Sequence, residues 1–79
     1  MRIMVGNLPD DIAEETIREA LSDVAPISAV KLVTEGGTPT AMIEMELSRA
    51  DAEALARRIQ GRMYQGRELR AWVPLFGWK

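Results

Sequence analysis

The sequence predicts an α+β domain with the element order β-α-β-β-α-β, in which two helices cover one face of a four-stranded antiparallel sheet. Three observations carry this. Apolar residues recur at helical spacing in two separate segments, short apolar or alternating runs fill the stretches around them, and glycine or proline marks most boundaries.

Arg2-Ile3-Met4-Val5 is short, apolar and bounded by Gly6-Asn7, which suits a buried central strand ending in a turn. Apolar residues then continue at Ile12, Ala13, Ile17, Ala20, Leu21 and Val24, the spacing of one helical face, with Glu14, Glu15, Arg18, Glu19 and Asp23 on the other. A helix is expected within 12–24. Asp10 or Asp11 should accept the free amide hydrogens of its first turn, and Pro26 should end the segment because its ring cannot continue a helix.

Ile27 to Thr34, with Val30, Leu32 and Val33, reads as a second strand, and Glu35-Gly36-Gly37-Thr38-Pro39 as the loop of a hairpin. From Thr40 to Leu47 the pattern alternates. Ala41, Ile43, Met45 and Leu47 fall on one face of this third strand and Thr40, Met42, Glu44 and Glu46 on the other. Ser48, three residues before Asp51, resembles a helix N-cap, and Ala52, Leu55, Ala56 and Ile59 form the apolar stripe of a second helix ending at Gly61. Gly66 to Val73 is expected as one fourth strand, stopped by Pro74.

At 79 residues the chain has room for one domain, here 1–79 with a core at 2–73 and an apolar tail at 74–79. No run has the length or purity of a membrane span, and the start lacks the basic flank and cleavage site of a signal peptide, so a soluble cytoplasmic protein is expected. Cysteine and histidine are both absent. That removes disulfides, thiolate nucleophiles, zinc fingers and imidazole chemistry together. The carboxylates of Asp10, Asp11, Glu14, Glu15 and Glu19 gather where a helix begins, where they complement its dipole and face water. No catalytic residue, metal ligand or cofactor is expected.

The formal net charge is −2, but it is unevenly spread. Residues 1–48 hold three basic groups against nine acidic ones, and residues 49–79 hold seven against three. Such asymmetry can steer a polyanion to one side of a fold, and equally describes a solvated surface whose charges happen to segregate.

Ile3-Met4-Val5-Gly6-Asn7-Leu8 resembles the first-strand ribonucleoprotein motif of the RNA recognition motif family: aliphatic, aromatic, aliphatic, any, Asn, Leu. Ala52, Ile59 and Gly61, followed by Gly66-Arg67-Glu68-Leu69-Arg70-Ala71, are similar to that family's second helix and glycine-led fourth strand. The resemblance covers about residues 2–73. It implies a ferredoxin-like sandwich whose open sheet face binds single-stranded RNA. It also implies aromatic residues that this chain lacks. Met4 stands at the first-strand aromatic position, Thr40 and Met42 at the two third-strand aromatics, Thr38 at the basic position and Pro39 at the glycine.

Alternation places Arg2, Met4, Lys31, Val33, Thr40, Met42, Glu44, Arg70 and Trp72 on the open face. The expected RNA-contacting residues are Arg2, Met4, Asn7, Lys31, Thr40, Met42, Arg70 and Trp72, with Trp72 as the stacking platform and Arg70 or Lys31 on phosphate. Binding should be weaker than in members with every stacking aromatic, since each is worth about 1–3 kcal/mol. Trp72 packed beneath the tail is the bland reading.

Two rival readings come from other classes. Some members of this family that lack stacking aromatics bind peptides through an acidic first helix and an Arg-x-Phe loop, which Glu14, Glu15, Glu19, Asp23 and Arg62-Met63-Tyr64 approximate. Alternatively, two copies could bury their apolar sheet faces, with Met4, Val33, Met42 and the tail in the contact. The tail Pro74-Leu75-Phe76-Gly77-Trp78-Lys79, with two of the four aromatics, is expected to dock on the fold.

Overall fold

Four strands form one antiparallel sheet in the order Ile27–Glu35, Thr38–Met45, Arg2–Gly6, Arg70–Trp72, in a computed structural model that describes residues 1–35 and 37–74. The elements are β1 (Arg2–Gly6), α1 (Glu14–Leu21), β2 (Ile27–Glu35), β3 (Thr38–Met45), α2 (Arg49–Ile59), β4 (Met63–Tyr64), β5 (Arg67–Glu68) and β6 (Arg70–Trp72). α1 packs against β2, and α2 against β1 and β6. The fold class is therefore the one expected.

Alternation along the strands decides what lies beneath the helices. Ile3 and Val5 of β1, Ala41, Ile43 and Met45 of β3 and Val30 of β2 are buried, and they meet Ile17 of α1 and Ala52, Leu55 and Ala56 of α2. Ile3 sits directly opposite Ile43, and Val5 opposite Ala41, so the two central strands present one apolar layer. Burying a large aliphatic side chain contributes roughly 1.5–3 kcal/mol, which makes this layer the main source of stability in so small a domain.

α2 begins as the sequence indicates. Ser48 is its N-cap and accepts a 3.2 Å hydrogen bond from the Asp51 amide. Beyond Ile59, Gln60 caps the C-terminal end and Gly61 turns at φ +87°, a conformation that a Cβ disfavours.

Four expectations need correction. Neither Asp10 nor Asp11 caps α1: the Ile12 amide donates to the Pro9 carbonyl at 3.2 Å, which closes a turn over the two aspartates, and the helix starts later, from an N-cap Ala13 with no side-chain cap. α1 ends at Leu21, so Val24 lies in the following turn and Pro26 well past the helix. Thr38 and Pro39 belong to β3 rather than to the loop, pairing with Glu35 and Thr34. The segment expected as one fourth strand is divided.

In that division β4 and β5 form a separate two-stranded hairpin, with Met63 opposite Glu68 and Tyr64 opposite Arg67. Gln65 and Gly66 turn it at φ +50° and +80°, the paired positive angles of a tight two-residue hairpin turn. Only Arg70–Trp72 then joins the main sheet, beside β1. The tail from Leu75 onward, with its expected docking, lies outside the described residues. Among those residues no helix is long and apolar enough to cross a membrane.

Candidate nucleic-acid interface

The sheet face turned away from the helices carries three cross-strand rows. In the middle row Lys31 of β2 lies opposite Met42 of β3, Met42 opposite Met4 of β1, and Met4 opposite Trp72 of β6. Strands are about 4.8 Å apart, so the row runs roughly 14 Å across the sheet, from an ammonium at one edge to an indole at the other. Arg2 and Glu44 face each other in the row below, and Arg70 lies opposite Gly6 in the row above, with Val33 opposite Thr40.

Trp72 is 44% exposed, the largest aromatic surface on this side among the described residues. Its ring leans diagonally across Gly6: a Cβ built there would lie 3.4 Å from Cζ3, 3.5 Å from Cη2 and 3.6 Å from the Thr40 hydroxyl oxygen. The glycine admits the indole close to the backbone. One end of the six-membered ring is thus held against Gly6, and the residue keeps substantial exposed surface.

Met4 and Thr40 lie on this face as alternation requires, yet they are 3% and 8% exposed. Met42 is half-buried. The two methionines form the packed middle of the row, and the accessible groups sit toward its ends, at Lys31 and at Trp72 with Arg70.

The cations divide into held and unpaired. Arg2 Nε donates to Glu44 Oε1 at 3.1 Å, so that charge is largely balanced within the face. Lys31 and Arg70 are exposed and form no ion pair with described residues. Among the described residues they are cations this face can offer an anion without breaking an internal contact.

Asn7 leaves β1 at φ +62°, a left-handed conformation that asparagine tolerates better than most residues. Its Nδ2 donates to the Glu68 carbonyl at 2.7 Å and its Oδ1 accepts from Arg67 Nη1 at 3.3 Å. The side chain ties the end of β1 to the hairpin. Next to it, the Leu8 amide donates to the Pro39 carbonyl at 3.2 Å, with Leu8 buried.

Residues that sequence reasoning passed over also shape this region. Gly6 stood at an unrestricted motif position, yet it lies beneath the indole. Arg57 and Gln60 of the second helical segment line an open groove with Trp72 at the β6 edge, where a helical stripe read only for its apolar side gives no signal.

On the helix side, a second and mostly apolar groove of about 280 Å³ runs between α1 and the β4–β5 hairpin. Ile12, Thr16 and Ala20 form one wall and Arg62, Met63 and Tyr64 the other. Met63 is 67% exposed.

These features define an α+β sandwich with an open, partly apolar sheet face flanked by unpaired cations. The family is shown by the chain as a whole: residues 3–70 match the model of the RNA recognition motif, and the protein belongs to that family. No curated protein matches the chain significantly. Among solved structures, an RNA binding protein termed PG1 is 25% identical with a TM-score of 0.79, the match covering 100% of this chain and 99% of that one. The NONO-1 homodimer of C. elegans is 30% identical over 94% of this chain and 28% of its own, with a TM-score of 0.75. The Rna15 domain solved with bound RNA (GU) shares the fold at 23% identity and a TM-score of 0.76, over 95% and 83% of the two chains.

Proposed function

We propose that the protein binds single-stranded RNA on the open face of its sheet, along the row Lys31–Met42–Met4–Trp72. The observation that carries this is the exposed indole of Trp72, supported over Gly6, with unpaired Arg70 beside it and Lys31 at the far edge. An aromatic plane accepts any base by stacking, and cations to either side meet phosphates. Membership of the family and the full-length likeness to an RNA binding protein support the same reading.

One stacking aromatic among the described residues, in place of three, makes the interaction weak. Each missing platform forgoes about 1–3 kcal/mol, and a buried Met4 and a half-buried Met42 return only part of that as soft apolar contact. Arg2 contributes less than its charge suggests, because Glu44 already engages it. Asn7 supports the site from below by fixing the loop rather than by offering a free amide. Titrating a fluorescent pool of short single-stranded RNA tests the reading. Affinity should fall as salt rises and fall again in Trp72→Ala; a folded wild-type protein that does not bind contradicts it.

A second reading has its own observation, the groove between α1 and the β4–β5 hairpin. At 100° per residue, Glu19 lies 60° beyond Thr16 at one margin of the α1 arc that lines the groove, with Glu15 a further 40° round, and Arg18 lies 60° beyond Leu21 at the other margin. An apolar slot with an acidic edge suits a basic peptide bearing one apolar or aromatic anchor. Glu15→Lys should then abolish capture of such a peptide and leave RNA affinity unchanged.

A further inference from the structure

We propose that the groove at the edge of the sheet, between α2 and β6, holds a phosphate of an RNA strand leaving the open face, with Arg57 and Gln60 as its donors. This rests on the RNA reading and extends the site past the sheet's edge. β6 is an outer strand, so an RNA strand that stacks on Trp72 and continues in that direction next meets α2.

The groove has a volume of about 350 Å³ and shares Trp72 with the sheet face as one of its walls. Arg57, on α2, is exposed and makes no hydrogen bond or ion pair with described residues. Gln60 is oriented by a backbone contact. Its Oε1 accepts a 2.9 Å hydrogen bond from the Ala71 amide, an edge-strand donor that would otherwise face solvent. With its oxygen engaged there, the amide nitrogen of Gln60 has two hydrogens and no acceptor among the described residues.

Two negative influences oppose an anion here, and both are offset. Glu53 lines the groove, but its carboxylate is paired with Arg49 at 3.3 Å. The C-terminal end of α2 carries about −0.5 of a charge by its dipole, against the two full positive charges of Arg57 and Arg58 in its last turn. The balance is positive. A phosphate therefore finds a fork of guanidinium donors and a fixed amide at the edge of the strand that carries Trp72.

The experiment measures binding of a fluorescent, randomised eight-nucleotide single-stranded RNA pool over a range of salt. Arg57→Ala should reduce the slope of log affinity against log salt by about 0.7, the value for one lost phosphate contact on a single strand. Gln60→Glu keeps the acceptor for the Ala71 amide and places a negative charge where the donor was, so affinity should fall several-fold in a protein of unchanged fold. Arg18→Ala, on α1 and away from the groove, should leave the slope as in the wild type. A wild-type slope in Arg57→Ala overturns the inference, as does wild-type affinity in Gln60→Glu or an equal fall in Arg18→Ala, which would mark a net-charge effect. Trp72→Ala separates the two failures. If it weakens binding while Arg57→Ala does not, the sheet binds RNA and the groove does not; if neither weakens it, both readings fail.

Discussion

The indole of Trp72 rests across Gly6, with Cζ3 3.4 Å from the point where a Cβ would begin. This contact joins the outer strand of the sheet to its centre and fixes how the exposed aromatic is presented. A side chain on an edge strand is otherwise free to swing away from the sheet. Here the small residue at position 6 leaves room for the ring over β1, while Trp72 stays 44% exposed.

The size of the residue at position 6 should therefore control the ring. At 3.4 Å a methyl group makes ordinary contact, so Gly6→Ala should keep the indole in place and change stability by less than about 1 kcal/mol, with lower unfolded-chain entropy in its favour. Gly6→Ile should displace it. Nuclear Overhauser contacts between the Trp72 ring and residue 6 report the difference: the ring protons should meet the Gly6 backbone in the wild type, and an unmoved ring in Gly6→Ile would contradict the geometry.

Removing the ring should act on binding more than on folding. Trp72 is substantially exposed and stands outside the main core, so Trp72→Ala should leave a cooperative unfolding transition. Loss of a stacking platform worth about 1–3 kcal/mol corresponds to a roughly 5- to 150-fold weaker RNA affinity. Fluorescence anisotropy with labelled RNA measures it.

Asn7 serves the fold through both ends of its amide. Asn7→Ala loses both contacts and places an alanine at φ +62°, and should cost about 2 kcal/mol, visible in urea unfolding. Asn7→Asp keeps an acceptor for Arg67 but not the donor to the Glu68 carbonyl, and should cost less than the alanine variant.

The two helix starts make opposite predictions. Ser48 accepts the Asp51 amide, so Ser48→Ala should destabilise by about 1 kcal/mol. Ala13 is an exposed N-cap with extended backbone and no side-chain acceptor, and Ala13→Ser or Ala13→Asp should stabilise by roughly 0.5–1 kcal/mol. Thermal unfolding of the three variants checks both signs.

Most of the fold can be read from periodicity, and the exceptions have identifiable causes. Alternation at Ala41, Ile43 and Met45 sets which face of β3 meets the helices, and the Ser48 cap sets the start of α2. Asp10 and Asp11 mislead because Pro9 directs them into a turn, and a good capping residue has no effect two residues from where the helix begins. The β4–β5 hairpin escapes periodicity altogether, since two-residue strands have no repeat. Only Gln65-Gly66 marks it, with its paired positive φ angles.

The site was legible in direction but not in depth. Parity along β1, β3 and β6 puts Met4, Met42 and Trp72 on one face, as observed. It says nothing of how far each is covered, and Met4 and Trp72 differ there by an order of magnitude, at 3% and 44% exposed. The pairing of Arg2 with Glu44 depends on cross-strand register, which a single sequence does not specify. Arg57 and Gln60 come near Trp72 only because α2 packs along β6.

The most direct test of RNA binding by the open face is an amide chemical-shift titration of labelled protein at low salt with a randomised pool of short single-stranded RNA. RNA binding by the open face should concentrate shifts at Lys31, Met42, Met4, Arg70 and Trp72, fading as salt rises, with α1 and the β4–β5 hairpin unaffected. A folded protein whose spectrum does not change, or changes only around Glu15, Glu19 and Arg62-Met63-Tyr64, would contradict it.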